Sequence, residues 1–272
     1  MIVDKTKLGV SFFDASFGGV YRGRQVLCAG RRGSGKSILA CHFLNQAIQD
    51  GDKALLLTKY RAHDTIIIAE SLGFPFEKAV TNGQLIILEY ASFIPEGHAS
   101  ANVMLPPQSF MELQTTVESQ SIRRVAFDNV LPWVAIHPVE RLAEHVYSFI
   151  HAIERLGITA LFTLPKPISN PAFTLQTRLE DLCPVVIKLD HENGEKRVLR
   201  VTKYLGEIKN LSQPLSFTIV PEHGIVDPSS ITETIKPVAP PSTTSPADPA
   251  MPTAAPRANK PISFSSVIRF PE

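Results

Sequence analysis

Apolar runs alternating with helical spacings mark this chain as an α/β protein with a mainly parallel central sheet flanked by helices. Three observations carry that reading. Uncharged runs such as ALLL at 54–57 and VAF at 125–127 suit strands buried on both faces, as in parallel sheets. Most of these runs are followed by a stretch with helical spacing, so the connections read as helical crossovers. A glycine-rich loop joins the first strand to the first helix.

The elements follow in order. Residues 25–29 form a short apolar strand that ends in the glycine loop, and 37–49 repeat apolar residues at helical spacing (Ile38, Leu39, Cys41, Phe43, Leu44, Ile48). Residues 53–58 are a second strand, 64–72 a helix and 85–89 a third strand. Residues 108–119 read as a helix, 124–128 as a strand, 139–156 as a long helix and 158–163 as a strand. Near the end, 185–189 and 198–203 flank Asn193-Gly194, a strong hairpin signal, and 215–220 add another strand. The parallel sheet therefore acquires a C-terminal antiparallel hairpin.

The chain's 272 residues, 44% hydrophobic, are enough for a large core without disulfide staples. Composition changes near residue 228. Ten of the 22 prolines lie in 228–272, which has no glycine and is rich in Pro, Ala, Ser and Thr. Such a segment buries too little apolar surface to offset chain entropy, so 1–227 read as the folded domain and 228–272 as a disordered tail. Apolar character returns at Ile262, Phe264, Val267, Ile268 and Phe270. Residues 262–270 are then either a frayed end or a short motif that docks on a protein partner or back on the domain.

Charge and cysteine usage exclude several classes. Lys plus Arg is 27 and Asp plus Glu is 26, so a net charge of +1 supplies no global field for nucleic acid. Cys28, Cys41 and Cys183 lack metal-ligand spacing and suit a reducing compartment, so a cytoplasmic location is expected. The first ten residues lack a signal-peptide apolar core, and no stretch of about 18 apolar residues suggests membrane insertion.

Gly30-Arg31-Arg32-Gly33-Ser34-Gly35-Lys36-Ser37 has the G-x-x-x-x-G-K-S pattern, after a strand and opening a helix. Glycines let the backbone wrap a phosphate, and the helix N-terminus adds partial positive charge. In this pattern Lys36 reaches the β- and γ-phosphates and the Ser37 hydroxyl meets Mg²⁺. Arg31 and Arg32 either assist phosphate binding, contact a neighbouring subunit or are solvated loop charges. Arg123-Arg124-Val125-Ala126-Phe127-Asp128 is a strand ending in a carboxylate, suited to hold the Mg²⁺ hydration shell.

On these motifs the chain resembles the RecA superfamily and, within it, the KaiC-like branch, over about residues 6–226. Residues 6–23 (TKLGVSFFDASFGGVYRG) are similar to that branch's leading segment; Asp128-Asn129 stands at its Mg²⁺ aspartate; Leu156-Gly157-Ile158-Thr159 matches "LGVT"; Lys203-Tyr204-Leu205-Gly206 matches "K-x-R-G". The resemblance implies a RecA-like fold, ATP and Mg²⁺ as ligands and a ring-forming or stacking homo-oligomer, with a hexamer among the sizes it allows.

Two departures bear on activity. Similar proteins end the second strand with an acidic pair that activates water, where this chain has Lys59 and Tyr60, both poor general bases near neutral pH. Lys59 is read either as a γ-phosphate contact or as an ordinary surface lysine. In "K-x-R-G" the two cations reach a neighbour's γ-phosphate; Lys203 keeps the first and Leu205 lacks the second. Losing an arginine finger alone costs roughly 10³ or more in rate. Asp64 is read as the cap of the following helix, His63 as a solvated loop residue and Glu89 as facing solvent. Trp133 suits core or subunit interface. Lys166 is the one cation in 164–177, and 91–107 contain none, which argues against nucleic acid as a partner. The expected function is a MgATP-dependent regulatory or assembly switch with slow or absent hydrolysis. The alternatives are an oligomeric ATPase with a non-standard base and a scaffold with a vestigial site.

Overall fold

The computed structural model describes residues 4–90, 107–134, 141–192, 196–207, 211 and 213–230. The expected turn at Asn193-Gly194, residues 139–140 of the expected long helix, residues 91–106 and residues 231–272, with the expected motif at 262–270, lie outside the described residues.

The chain opens with β1 (Lys5–Thr6), α1 (Ser11–Phe17) and β2 (Val20–Tyr21), then β3 (Gln25–Gly30), α2 (Lys36–Gln49), β4 (Ala54–Thr58), α3 (Ala62–Ser71), α4 (Phe76–Thr81) and β5 (Leu85–Glu89). It continues through α5 (Pro107–Gln120), β6 (Arg124–Asp128), α6 (Leu131–Val134), α7 (Leu142–Arg155), β7 (Thr159–Pro165) and α8 (Asn170–Leu182). It closes with β8 (Val185–Glu192), β9 (Lys196–Tyr204), β10 (Pro214–Val220) and β11 (Gly224–Val226). Among the described residues the main sheet has nine strands in the order β11-β10-β9-β8-β3-β7-β6-β4-β5. β8, β3, β7, β6, β4 and β5 pair in parallel, and β9, β10 and β11 extend the sheet antiparallel. The expected parallel sheet and antiparallel edge are both present. No helix of the described residues is long and apolar enough to cross a membrane.

Strand alternation divides the core. Val26 and Cys28 of β3 and Leu56 of β4 face one cluster with α2; Leu27, Ala29, Leu55 and Leu57 face the other with α5, α7 and α8. Burial on both faces explains the uncharged runs. Short elements escaped the periodicity reading. α1 has seven residues, too few to repeat a helical period, yet Phe13 and Phe17 are buried by it. α8 forms where the sequence reading assigned no element: Pro171 suits its first turn, and Leu175 and Leu179 are its buried residues.

α2 is tied to both ends of the domain. Buried His42 donates from Nδ1 to the Gly9 carbonyl at 2.8 Å and accepts the Ile225 N–H at Nε2, at 2.6 Å. Arg124, 1% exposed, pairs with Asp50 and Asp52 and donates to Thr6 and the Lys7 carbonyl. It is a buried staple for the N-terminal segment.

Candidate functional site

β3 is the central strand of the nine-stranded sheet, between β8 and β7, and its carboxyl end delivers the glycine loop to the sheet edge. A Cβ at Gly30 would stand 2.4 Å from the Leu189 carbonyl oxygen, so only glycine passes there. Gly35 turns the chain into α2 at φ +103°, in the region where other side chains are strained. As the N-cap of α2 it brings no side-chain acceptor, and the first helical bond returns from Leu39 to its carbonyl at 2.9 Å. The N–H groups of Lys36, Ser37 and Ile38 therefore have no partner within the helix, the usual setting for an anion.

Lys36 folds back over the loop, its ammonium donating to the carbonyls of Gly30 at 2.9 Å and Arg31 at 2.6 Å. Burial lowers its pKa, opposed in part by the Asp128 carboxylate. The fully buried Ser34 hydroxyl has no hydrogen-bond partner among the described residues.

Asp128 ends β6 in register with Thr58 of β4, and its carboxylate accepts the Thr163 hydroxyl at 2.6 Å. The Tyr90 hydroxyl accepts the Asn129 N–H at 2.9 Å and donates to the Asp128 carbonyl at 3.1 Å, holding the chain as it leaves β6. Ser37 and Asp128 line one cavity of about 290 Å³, whose other walls include Thr58, Tyr60, Asp64 and Ile68. A hydroxyl and a carboxylate on one cavity are the hard oxygen donors that suit Mg²⁺, the remaining positions being left for water and phosphate. Among the described residues no three His, Cys, Asp or Glu side chains gather into an all-protein metal site.

The family model described as "ATPase: KaiC" matches residues 6–228. The chain belongs to the KaiC ATPase family. Among curated relatives, the circadian clock oscillator protein KaiC of Synechococcus elongatus is 24% identical over 222 residues, which is 79% of this chain and 42% of that protein. The KaiC of Parathermosynechococcus lividus is 30% identical over 204 residues, 72% of this chain and 37% of that protein. The chain thus spans about two fifths of the length of these relatives. A solved KaiC-like protein from Pyrococcus horikoshii superposes with a TM-score of 0.65 at 23% identity, covering 82% of this chain and 98% of that one. That likeness carries the RecA-like fold.

Within this KaiC-family frame, two residues, Asp64 and Glu89, stand where the sequence did not put them. Asp64 is not the cap of α3. The helix starts at Ala62, whose N–H is taken by the Glu89 carboxylate at 2.7 Å, while Asp64 sits in the first turn. Glu89 is therefore a helix-capping residue and not merely solvent-facing. Lys59 is exposed and stacks its ammonium 5.2 Å from the Tyr60 ring centroid. Arg31 reaches Asp190 at 3.6 Å, both well exposed, and Arg32 is exposed. Trp133 is buried against Phe127 and Tyr90, as a core residue.

Lys203 is not brought to the loop of its own chain. It pairs with Val186, which pairs with Leu27, whereas the loop begins at the level of Leu189 and Gly30. That is three residues, or about 10 Å, toward the opposite edge of the sheet. Its ammonium donates to the carbonyls of Glu180 at 2.9 Å and Asp181 at 2.7 Å, at the end of α8. The supporting roles of Thr163 and Tyr90 went unread because they depend on strand order: neither belongs to a motif, and each reaches Asp128 or its neighbour Asn129 from a different strand end.

Proposed function

We propose that this chain is a MgATP-dependent regulatory or assembly switch that hydrolyses ATP slowly. The observation that carries the reading is an asymmetry at one sheet edge. The phosphate side is complete: a glycine loop with free helix N–H groups, Lys36 poised over it, and Ser37 and Asp128 on one cavity. The strand end beside it supplies Lys59 and Tyr60 in place of an acidic pair. Gly30, Arg31, Arg32, Gly33, Ser34, Gly35 and Lys36 would cradle the phosphates, and Lys59 would lie near the γ-phosphate. Ser37 and Asp128 would hold Mg²⁺, which when bound neutralises charge on the β- and γ-phosphates. Slow turnover lets ATP occupancy persist and bias one conformation or assembly over another.

A homo-oligomer belongs to this reading. Lys203, about three residues below the loop along the sheet and bonded to the end of α8, would serve a neighbour's γ-phosphate, and Leu205 near it brings no second cation. The tail is proposed to tether a protein partner. No role for nucleic acid is proposed.

The test is retention. Purified protein is incubated with radiolabelled ATP and Mg²⁺, free nucleotide is removed quickly, and bound and released species are identified, with Lys36→Ala beside it. Retained ATP converted only slowly to ADP, and lost in the variant, is the expected result. Fast steady ADP release would overturn the switch, and no retention with no turnover would leave the scaffold.

A further inference from the structure

We propose that Asp64 is the carboxylate that takes the proton from the attacking water, and so carries the slow hydrolysis of this site. The proposal rests on the MgATP reading above. It begins from placement. β4 ends at Thr58, and the next two residues, Lys59 and Tyr60, provide no carboxylate. The chain then enters α3, and Asp64 in its first turn lines the same cavity as Ser37 and Asp128. It reaches this cavity from one turn further along the chain than the end of β4.

The neighbouring carboxylates are engaged elsewhere. Glu89 accepts the Ala62 N–H and starts α3. Asp128 accepts from Thr163 and stands beside Ser37 as the Mg²⁺ partner. Because Glu89 serves the helix start, Asp64 is not used as a cap. Among the carboxylates lining this cavity, Asp64 alone is left to face a water beside the γ-phosphate. In the step proposed, the water oxygen bonds to the γ-phosphorus as the bond from that phosphorus to the β,γ-bridging oxygen breaks. ADP leaves with the bridging electron pair, the water proton passes to Asp64 and on to solvent, and inorganic phosphate remains. One carboxylate, without a second cation at Leu205, accounts for turnover that is slow.

The full chain carrying Asp64→Asn is compared with the parent and with Lys36→Ala. Two quantities are read: equilibrium affinity for ATP with Mg²⁺, and the single-turnover rate of ADP formation. Asp64 is exposed, and Asp64→Ser serves as a second variant that keeps a short polar first-turn residue. The expected result is affinity within about twofold of the parent and ADP formation slowed tenfold or more, in the range general-base loss produces. Asp64→Glu recovers part of the rate. Unchanged ADP formation in both variants overturns the proposal. So does a loss of affinity as large as the loss of rate, which would make Asp64 a binding residue, and so does a parent that holds ATP without ever forming ADP. A parent that fails to bind ATP at all, equal to Lys36→Ala, overturns the MgATP reading itself and this proposal with it.

Discussion

The phosphate side and the water side of the site lie on neighbouring stretches of one sheet edge, yet they are built differently. Phosphate would be gripped largely by backbone: Gly30 and Gly35 shape the loop, and α2 offers its free N–H groups. Those requirements are local, so eight consecutive residues specify them. The metal and water positions would be assembled from side chains of separate elements, with Asp64 from α3, Asp128 from β6 and, donating to Asp128, Thr163 from β7. Backbone geometry tolerates change outside the motif, whereas a side-chain constellation shifts with each substitution. In the function proposed, the nucleotide grip is kept while the hydrolytic chemistry moves to other residues.

The phosphate side is most sensitive at Lys36. Lys36→Ala removes a cation that makes charge-assisted bonds and should weaken ATP binding by roughly two orders of magnitude in equilibrium binding. Folding stability should change little, because the partly buried ammonium is also relieved of its desolvation cost.

Acid probes how firmly the phosphate side is anchored. Burial lowers the His42 pKa to about 4, below its ordinary value of 6.5, with the hydrogen bond to Gly9 opposing the shift. The unfolded chain therefore binds the proton more readily than the folded one. The contribution is fully present above pH 6.5 and is lost as pH falls toward 4, on the order of 3 kcal/mol. Urea midpoints measured over that range should fall in the parent and fall less in His42→Phe.

Two smaller effects sharpen the contrast. Asp128→Asn should lower ATP affinity about tenfold with Mg²⁺ and leave Mg²⁺-free binding nearly unchanged. Comparing titrations with and without chelator checks this. Thr163→Val removes the 2.6 Å bond to Asp128. It should cost about 1 kcal/mol in denaturant unfolding, and MgATP affinity should fall severalfold while affinity without Mg²⁺ holds. An equal loss in both conditions would mean that Thr163 serves the fold and not the metal side.

Much of this molecule was legible without coordinates, for reasons of range. Strands buried on both faces are apolar along their length, so β3, β4 and β7 appear as uncharged runs, and β5 and β6 carry charges only at their ends. The phosphate loop depends on positive φ angles and a close backbone approach, which glycine alone supplies cheaply, so it is written in contiguous residues. Tertiary structure decided what depends on strand order and direction. The antiparallel run of β9 carries Lys203 away from the loop of its own chain and onto the end of α8. Parallel pairing sets Asp128 beside Thr58 and lets Thr163 reach its carboxylate. Glu89, from the end of β5, takes the first N–H of α3 and leaves Asp64 to the cavity. Each of these pairs residues far apart in the chain, and the hydrophobic period that reveals a strand carries no record of which strand will lie beside it.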